Sequence, residues 1–196
     1  NLARLYRTWA EVTSDPTQRT QMLNESVKYY EQAQALSPHN AQIYNEYGSV
    51  YAMLGQTDQA LGKYNESLAI DKEFSQTYLL LGDAYLTKND YDNAVNAYQQ
   101  ALKWDPGVLQ AHSALGLIYS RQNKYDLAIS ENQIVLSKQP NDFSTLRNLA
   151  LLYQQTNRLP EALQFAQRAL SVAPDQDKPA MQQFIAQLQA QLQQPK

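Results

Sequence analysis

The 196-residue chain has no cysteine and only two histidines, His39 and His112. The first absence excludes disulfides, a thiol nucleophile and a cysteine-ligated zinc site. The second leaves no cluster of imidazoles for a metal centre, so neither a metal nor a cofactor is expected. Glycine is scarce, at six residues, and no glycine-rich loop is present to cradle a phosphate. There is also no HExxH pair and no nucleophile elbow, so no catalytic residues are assigned and no enzymatic activity is expected. Lys and Arg total 16 against 19 Asp and Glu, for a formal net charge of −3. A nucleic-acid partner is not expected, because phosphate contacts need clustered cations. The longest apolar runs are a few residues, far short of the ~20 that cross a bilayer, so this segment is not expected to insert in a membrane. The chain opens on Asn rather than Met and is read as a piece of something larger. Its expected setting is the cytoplasm by default, or a soluble region of a membrane-anchored parent.

What the chain does have is a period. Gly48, Gly82 and Gly116 are 34 residues apart, and Ala150 takes the next place. Tyr51, Tyr85, Tyr119 and Tyr153 keep the same step, as do Ala60, Ala94, Ala128 and Ala162. Pro38, Pro106, Pro140 and Pro174 share it too, with Lys72 at the one gap. Counting each unit from residue 41, 75, 109 or 143, these are positions 8, 11, 20 and 32. In 75–108, Tyr78, Leu81 and Tyr85, then Ala94, Tyr98, Ala101 and Leu102, recur at three- and four-residue steps. That spacing lines one face of each of two successive helices. Position 15 is Gly55, Asn89, Asn123 or Asn157, the residue types that accept a left-handed backbone just past a helix end. Proline then stops the second helix. Each unit reads as helix, tight turn, helix, stop. The glycine of position 8 is expected to face the alanine of position 20 across the pair, with the tyrosines of positions 11 and 24 filling the space between neighbouring pairs.

The ends depart from the period. Residues 17–38 keep the second-helix pattern through Val27, Tyr30 and Ala33, and Leu2, Leu5, Tyr6 and Trp9 form another apolar face. Between them, Asp15 is placed to cap a helix that begins at Pro16. This predicts a divergent N-terminal unit over 1–40. Met181, Phe184, Ile185, Leu188 and Leu192 form one stripe, with glutamines from Gln182 to Gln194 mostly off it. Such a one-sided helix, over 177–196, suits the end of a repeat stack. The expectation is about eleven helices, no strands and no internal boundary: a single domain over 1–196.

The run Tyr78-x2-Leu81-Gly82-x2-Tyr85, then Ala94-x3-Tyr98, then Pro106, resembles the signature of the tetratricopeptide repeat (TPR) family. The match covers 41–74, 75–108, 109–142 and 143–176. His112 and Leu146 replace the first aromatic of their units, and Asn132 and Ala166 the later one, which suggests looser packing toward the C-terminus. The resemblance implies an all-α, right-handed α-solenoid of stacked antiparallel helix pairs. It also implies a concave groove lined by the first helix of each unit. On that basis the apolar middle of the groove is assigned to Leu79, Leu80, Ala114, Leu117 and Leu151. The polar candidates beside it are Asp83, Arg121, Arg147 and Asn148. The ligand expected there is an apolar or amphipathic peptide or helix, with the arginines available to an acidic residue.

Two specialised family readings fail on these residues. A clamp for a chaperone C-terminal carboxylate would fall on Asn45, Ser49, Leu80, Gln110 and Ala114, which carry no positive charge. The row that would hold an asparagine ladder reads Glu46, Leu80, Ala114, Asn148. The primary expectation is therefore a non-catalytic interaction scaffold. One alternative is a self-associating structural module. Another is an accessory region of a membrane-embedded envelope polysaccharide ligase or polymerase of bacteria, which the N-terminal Leu-Ala-Arg-Leu-Tyr-Arg-x-Trp stretch resembles. His112 is expected to be a packed core ring and His39 a solvated loop residue. Glu25, Glu66 and Glu131 are read as solvated carboxylates, and the Asn-Glu-Ser triplets at Asn24 and Asn65 as parts of helices.

Overall fold

The computed structural model describes residues 2–193, so Asn1 and the last three residues, Gln194 among them, lie outside the described residues. Within that range eleven α-helices follow one another, with no strand. They are α1 (Leu2–Val12), α2 (Pro16–Leu36), α3 (Ala41–Met53), α4 (Thr57–Ile70), α5 (Ser75–Thr87) and α6 (Tyr91–Trp104). Then come α7 (Leu109–Arg121), α8 (Tyr125–Lys138), α9 (Phe143–Gln155), α10 (Leu159–Val172) and α11 (Lys178–Gln193). The chain divides into two compact units, Asn1–Gly107 and Val108–Lys196. In the first, α1 packs on α2, α3 on α4 and α5 on α6, and each pair meets the next through α2 with α3 and α4 with α5. In the second, α7 packs on α8, α9 on α10 and α11 on α10, with α8 meeting α9. Each unit is thus an all-α stack of antiparallel helix pairs.

The turns inside the pairs are local in origin. Gly55, Asn89, Asn123 and Asn157 have φ of 74°, 58°, 58° and 57°, the left-handed region that glycine and asparagine tolerate best. Each turn closes with the same two bonds. The N–H of Asn89 donates to the Leu86 carbonyl at 3.0 Å and that of Asp90 to the Tyr85 carbonyl at 2.9 Å. Asn123 and Lys124 repeat this on Ser120 and Tyr119, and Asn157 and Arg158 on Gln154 and Tyr153. The carbonyls left over at the helix end are satisfied by the turn itself. At the start of α2 the Asp15 carboxylate accepts from Thr17 N–H at 2.8 Å and Gln18 N–H at 3.3 Å, ahead of Pro16 in the first turn.

Packing within a pair differs from the expectation in one respect. A Cβ added to Gly48 would lie 2.5 Å from Tyr64 Cε1, and one on Gly82 would lie 2.5 Å from Tyr98 Cε1. On Gly116 it would lie 2.6 Å from Asn132 Nδ2, with the Ala128 carbonyl farther off at 3.6 Å. The glycine therefore makes room for residue 24 of the unit, not for the alanine of position 20. Both residues point inward, four apart on one helix face, but only the longer side chain spans the gap. Tyr64 and Tyr98 are 1% and 0% exposed as a result. In the fourth pair both sizes change together: Ala150 stands at position 8 and Ala166 at position 24, each 0% exposed. Both positions are small in this pair and both stay buried, so it does not use the contact of glycine with ring.

Candidate functional site

Within the second unit, α7 and α9 present their outward faces around a cavity of about 390 Å³. Gly116, Leu117, Ser120, Asn148, Leu151, Leu152 and Gln155 line it from these two helices, and Tyr125 and Asn132 reach it from α8. Leu117 and Leu151 are 45% and 41% exposed at its edge, large apolar side chains that the fold leaves in water at a cost. Asn148 is exposed beside them, and so are Arg121 and Arg147 on the same two helices. The Arg147 guanidinium lies 5.6 Å from the Phe143 ring centre, which steadies it without neutralising it. Neither α7 nor α9 contains a carboxylate.

The structure brings Leu117, Asn148 and Leu151 together at this cavity, with Ala114 half-buried on α7. It distributes the first-unit candidates differently. Leu79 is 4% exposed and belongs to the interior, so it is closed to a ligand. Leu80 is half-buried and packs against the cluster of Ala60, Tyr64 and Leu81. Asp83 is exposed, and its Oδ1 accepts from the Tyr98 hydroxyl at 2.7 Å. Crowding by surrounding protein pushes the Asp83 carboxyl above its ordinary 3.8, and the tyrosine bond offsets part of that. Glu46, placed in the groove row by its register, is instead 7% exposed. Its carboxylate is held by the Arg4 guanidinium, the Gln42 amide at 2.9 Å and the Tyr30 hydroxyl at 2.9 Å.

His112 is buried as a packed ring, but its Nδ1 lies 2.6 Å from Glu131 Oε2. Glu131 is therefore a half-buried partner of the imidazole and not a solvated carboxylate. The loss of the aromatic at position 24 by itself suggests only looser packing. Asn132, 5% exposed, is in fact part of the cavity wall. The signal was in the sequence, as an amide where the preceding units have tyrosine, but a cavity does not follow from composition. Among the described residues no group of three His, Cys, Asp or Glu is placed to hold a metal ion, and no helix is long and apolar enough to cross a membrane.

Stacked helix pairs, a repeated left-handed turn and a glycine under a ring together define an α-helical repeat protein. The profile of the tetratricopeptide repeat matches residues 23–73 and 79–143, and a second profile of the same repeat matches 143–173. The chain belongs to the tetratricopeptide repeat family. No curated protein matches it significantly in sequence. Its fold is similar to a crystal structure of MamA, with a TM-score of 0.72 at 20% identity, covering 86% of this chain and 99% of that one. MamA from Desulfovibrio magneticus RS-1, residue 41 to the end, superposes with a TM-score of 0.69 at 21% identity over 77% of this chain and 84% of that one. YrrB, described as a TPR protein with an unusual peptide-binding site, gives 0.68 at 20% identity over 88% and 87%.

Proposed function

We propose that this chain is a non-catalytic scaffold that binds a protein segment on the outward face of α7 and α9. The observation that carries the reading is the cavity between two half-exposed leucines, Leu117 and Leu151, flanked by Arg121 and Arg147. Apolar surface with two arginines nearby suits a segment with large apolar side chains and acidic neighbours. A fold like that of YrrB, a peptide-binding TPR protein, supports a peptide as the ligand class. The unbroken 34-residue step from Gly82 to Gly116 supports reading 1–196 as a single domain. Selection of a random peptide display library against the whole chain tests the function. Enriched peptides should bind the wild type, and Leu117→Asp should weaken them at least about tenfold, the scale of a buried apolar anchor. The Leu36→Asp control, at a position 85% exposed, should change nothing. Enriched peptides that bind Leu117→Asp as well as the wild type would move the site elsewhere. Leu117 is a better probe than Leu80, whose charge substitution would also disturb the Tyr64 cluster.

A second reading, self-association, is favoured by one observation. Leu2, Leu5, Trp9 and Val12 of α1 are 52%, 43%, 48% and 78% exposed along that helix. Light scattering should then show mass rising with concentration for the wild type and a monomer for Trp9→Asp. A wild-type monomer throughout sets this reading aside.

A further inference from the structure

One groove of the first unit is open where its counterparts are filled. Position 23 of each repeat stands on the second helix, and in three pairs its side chain reaches the first helix. Lys63 lies over the Tyr44 and Tyr47 rings, 5.7 and 4.9 Å from their centres, and donates to Gln34 at 2.9 Å and Glu66 at 3.0 Å. Glu131 meets His112 at 2.6 Å. Phe165 stacks on Tyr153, with ring centres 5.2 Å apart. The α5–α6 pair has only Ala97 at this position. A cavity of about 370 Å³ lies beside it, among α4, α5 and α6.

The walls restrict the occupant. Tyr78 and Tyr85 line the cavity from α5, both half-buried, and Asn65, Asn96 and Gln100 line it from α4 and α6. Among the described residues none of these three amides makes a hydrogen bond, and neither does the Tyr85 hydroxyl. In the α9–α10 pair the equivalent hydroxyl, that of Tyr153, accepts from Gln133 at 2.9 Å. Asn65 stands at the place of Gln133 and is one methylene shorter. No charged side chain lines the cavity. A cation there would find Leu68 and Gln100 where Lys63 has Gln34 and Glu66, and an anion would find Tyr78 where Glu131 has His112. A bare ring like that of Phe165 would stack on a tyrosine but displace water from the amides without replacing its hydrogen bonds. A pyranose meets both surfaces. Its C–H face lies on an aromatic ring, and its hydroxyls are donors and acceptors at once, as the amides are.

We propose that the cavity among α4, α5 and α6 binds a neutral sugar ring, stacked on the tyrosines of α5 and held by Asn65, Asn96 and Gln100. The site lies in the first unit and does not rest on the α7–α9 reading. The test uses the full chain, labelled with nitrogen-15, titrated with maltose, lactose and diacetylchitobiose, and with N-acetyl-phenylalanine amide as a ring without hydroxyls. At least one of the sugars should shift the side-chain amide signals of Asn65, Asn96 and Gln100 and the backbone amide of Ala97. Asn96→Ala and Gln100→Ala, outside the buried interior, should each weaken that sugar about two- to tenfold, the worth of one hydrogen bond. Ala97→Phe, which puts in place the ring that Phe165 provides in the α9–α10 pair, should abolish the shifts. Leu117→Asp should leave them as in the wild type, so loss of peptide binding and loss of sugar binding are separate results. Absence of shifts with all three sugars, or shifts that survive Ala97→Phe, would overturn the site. Binding of the phenylalanine probe as tight as that of the best sugar would also overturn it and assign the groove to an apolar side chain of a protein. If Ala97→Phe fails to fold, undiminished sugar binding by both alanine variants decides against the proposal.

Discussion

Gly82→Val should lower the stability of the first unit by about 3 kcal/mol, at the upper end of what overpacking a filled interior costs. The added Cβ alone would lie 2.5 Å from the Tyr98 ring, below any real carbon contact, and its neighbours Cδ1 and Cζ stand at 2.6 and 2.7 Å. The clash is with the body of a ring that is 0% exposed and pinned by its hydroxyl to Asp83. Relief requires that ring to leave or α5 to lift from α6. Valine adds two methyls and a β-branch that further restricts its rotamers in a helix. Urea unfolding followed by circular dichroism reads the effect. The α9–α10 pair supplies the comparison, because Ala150 and Ala166 occupy the same two positions and are both 0% exposed. Gly82→Ala and Tyr98→Ala should each destabilise, and the double variant should cost less than their sum. Simple additivity, or an unchanged midpoint for Gly82→Val, would refute the assigned contact.

Glu46→Ala should cost about 2–3 kcal/mol, because it leaves the Tyr30 hydroxyl buried without its acceptor and removes a charge-assisted bond from Arg4. Tyr30 is 0% exposed, and Arg4 comes from α1, so this carboxylate ties the divergent N-terminal helix to α3. Burial pushes the Glu46 carboxyl up, but the bonds from Arg4, Gln42 and Tyr30 outweigh it and hold the group below its ordinary 4.5. A carboxylate lowered in the folded state binds its proton more readily when unfolded. Its stabilisation is therefore present above the unfolded value near 4.5 and is lost as pH falls through the lower folded value. Asp83, raised by its surroundings, contributes with the opposite sign and regains stability on acidification. The informative quantity is the difference between wild type and Glu46→Gln, measured as urea midpoints from pH 6 down to about pH 3. The gap should close on the acidic side. A gap constant over that range would show that Glu46 is not ionised in the fold.

How much was legible in advance differs by feature. Positions 8, 11, 20 and 32 revealed the repeat, and with it the helix pairs, because helical periodicity and turn chemistry are local. Asp15 before Pro16 and the four residues of position 15 specified the helix start and the turns on their own, since each acts through its own backbone. The groove was less legible. Leu79 and Leu80 sit side by side in sequence, yet Leu79 is inside and Leu80 half-buried against the Tyr64 cluster. Leu117, one place from Gly116, is outside. A face a few residues wide contains both kinds, and the boundary depends on how far a neighbouring helix overlaps it. Glu46 shows the same limit with a polar side chain, since its cover is Arg4, 42 residues away.

By itself the sequence determined that this protein is a stack of helix pairs with 34-residue spacing, and it offered no cluster of residues for catalysis. Those properties follow from backbone propensity, from side-chain period and from which residue types are present. That residue 24, and not the alanine of position 20, lies over the glycine, and that Asn132 stands in a cavity wall, came from the tertiary structure alone. The reason is physical. A space between helices is set by the difference between the side chains that meet there, and no single position in the sequence states that difference.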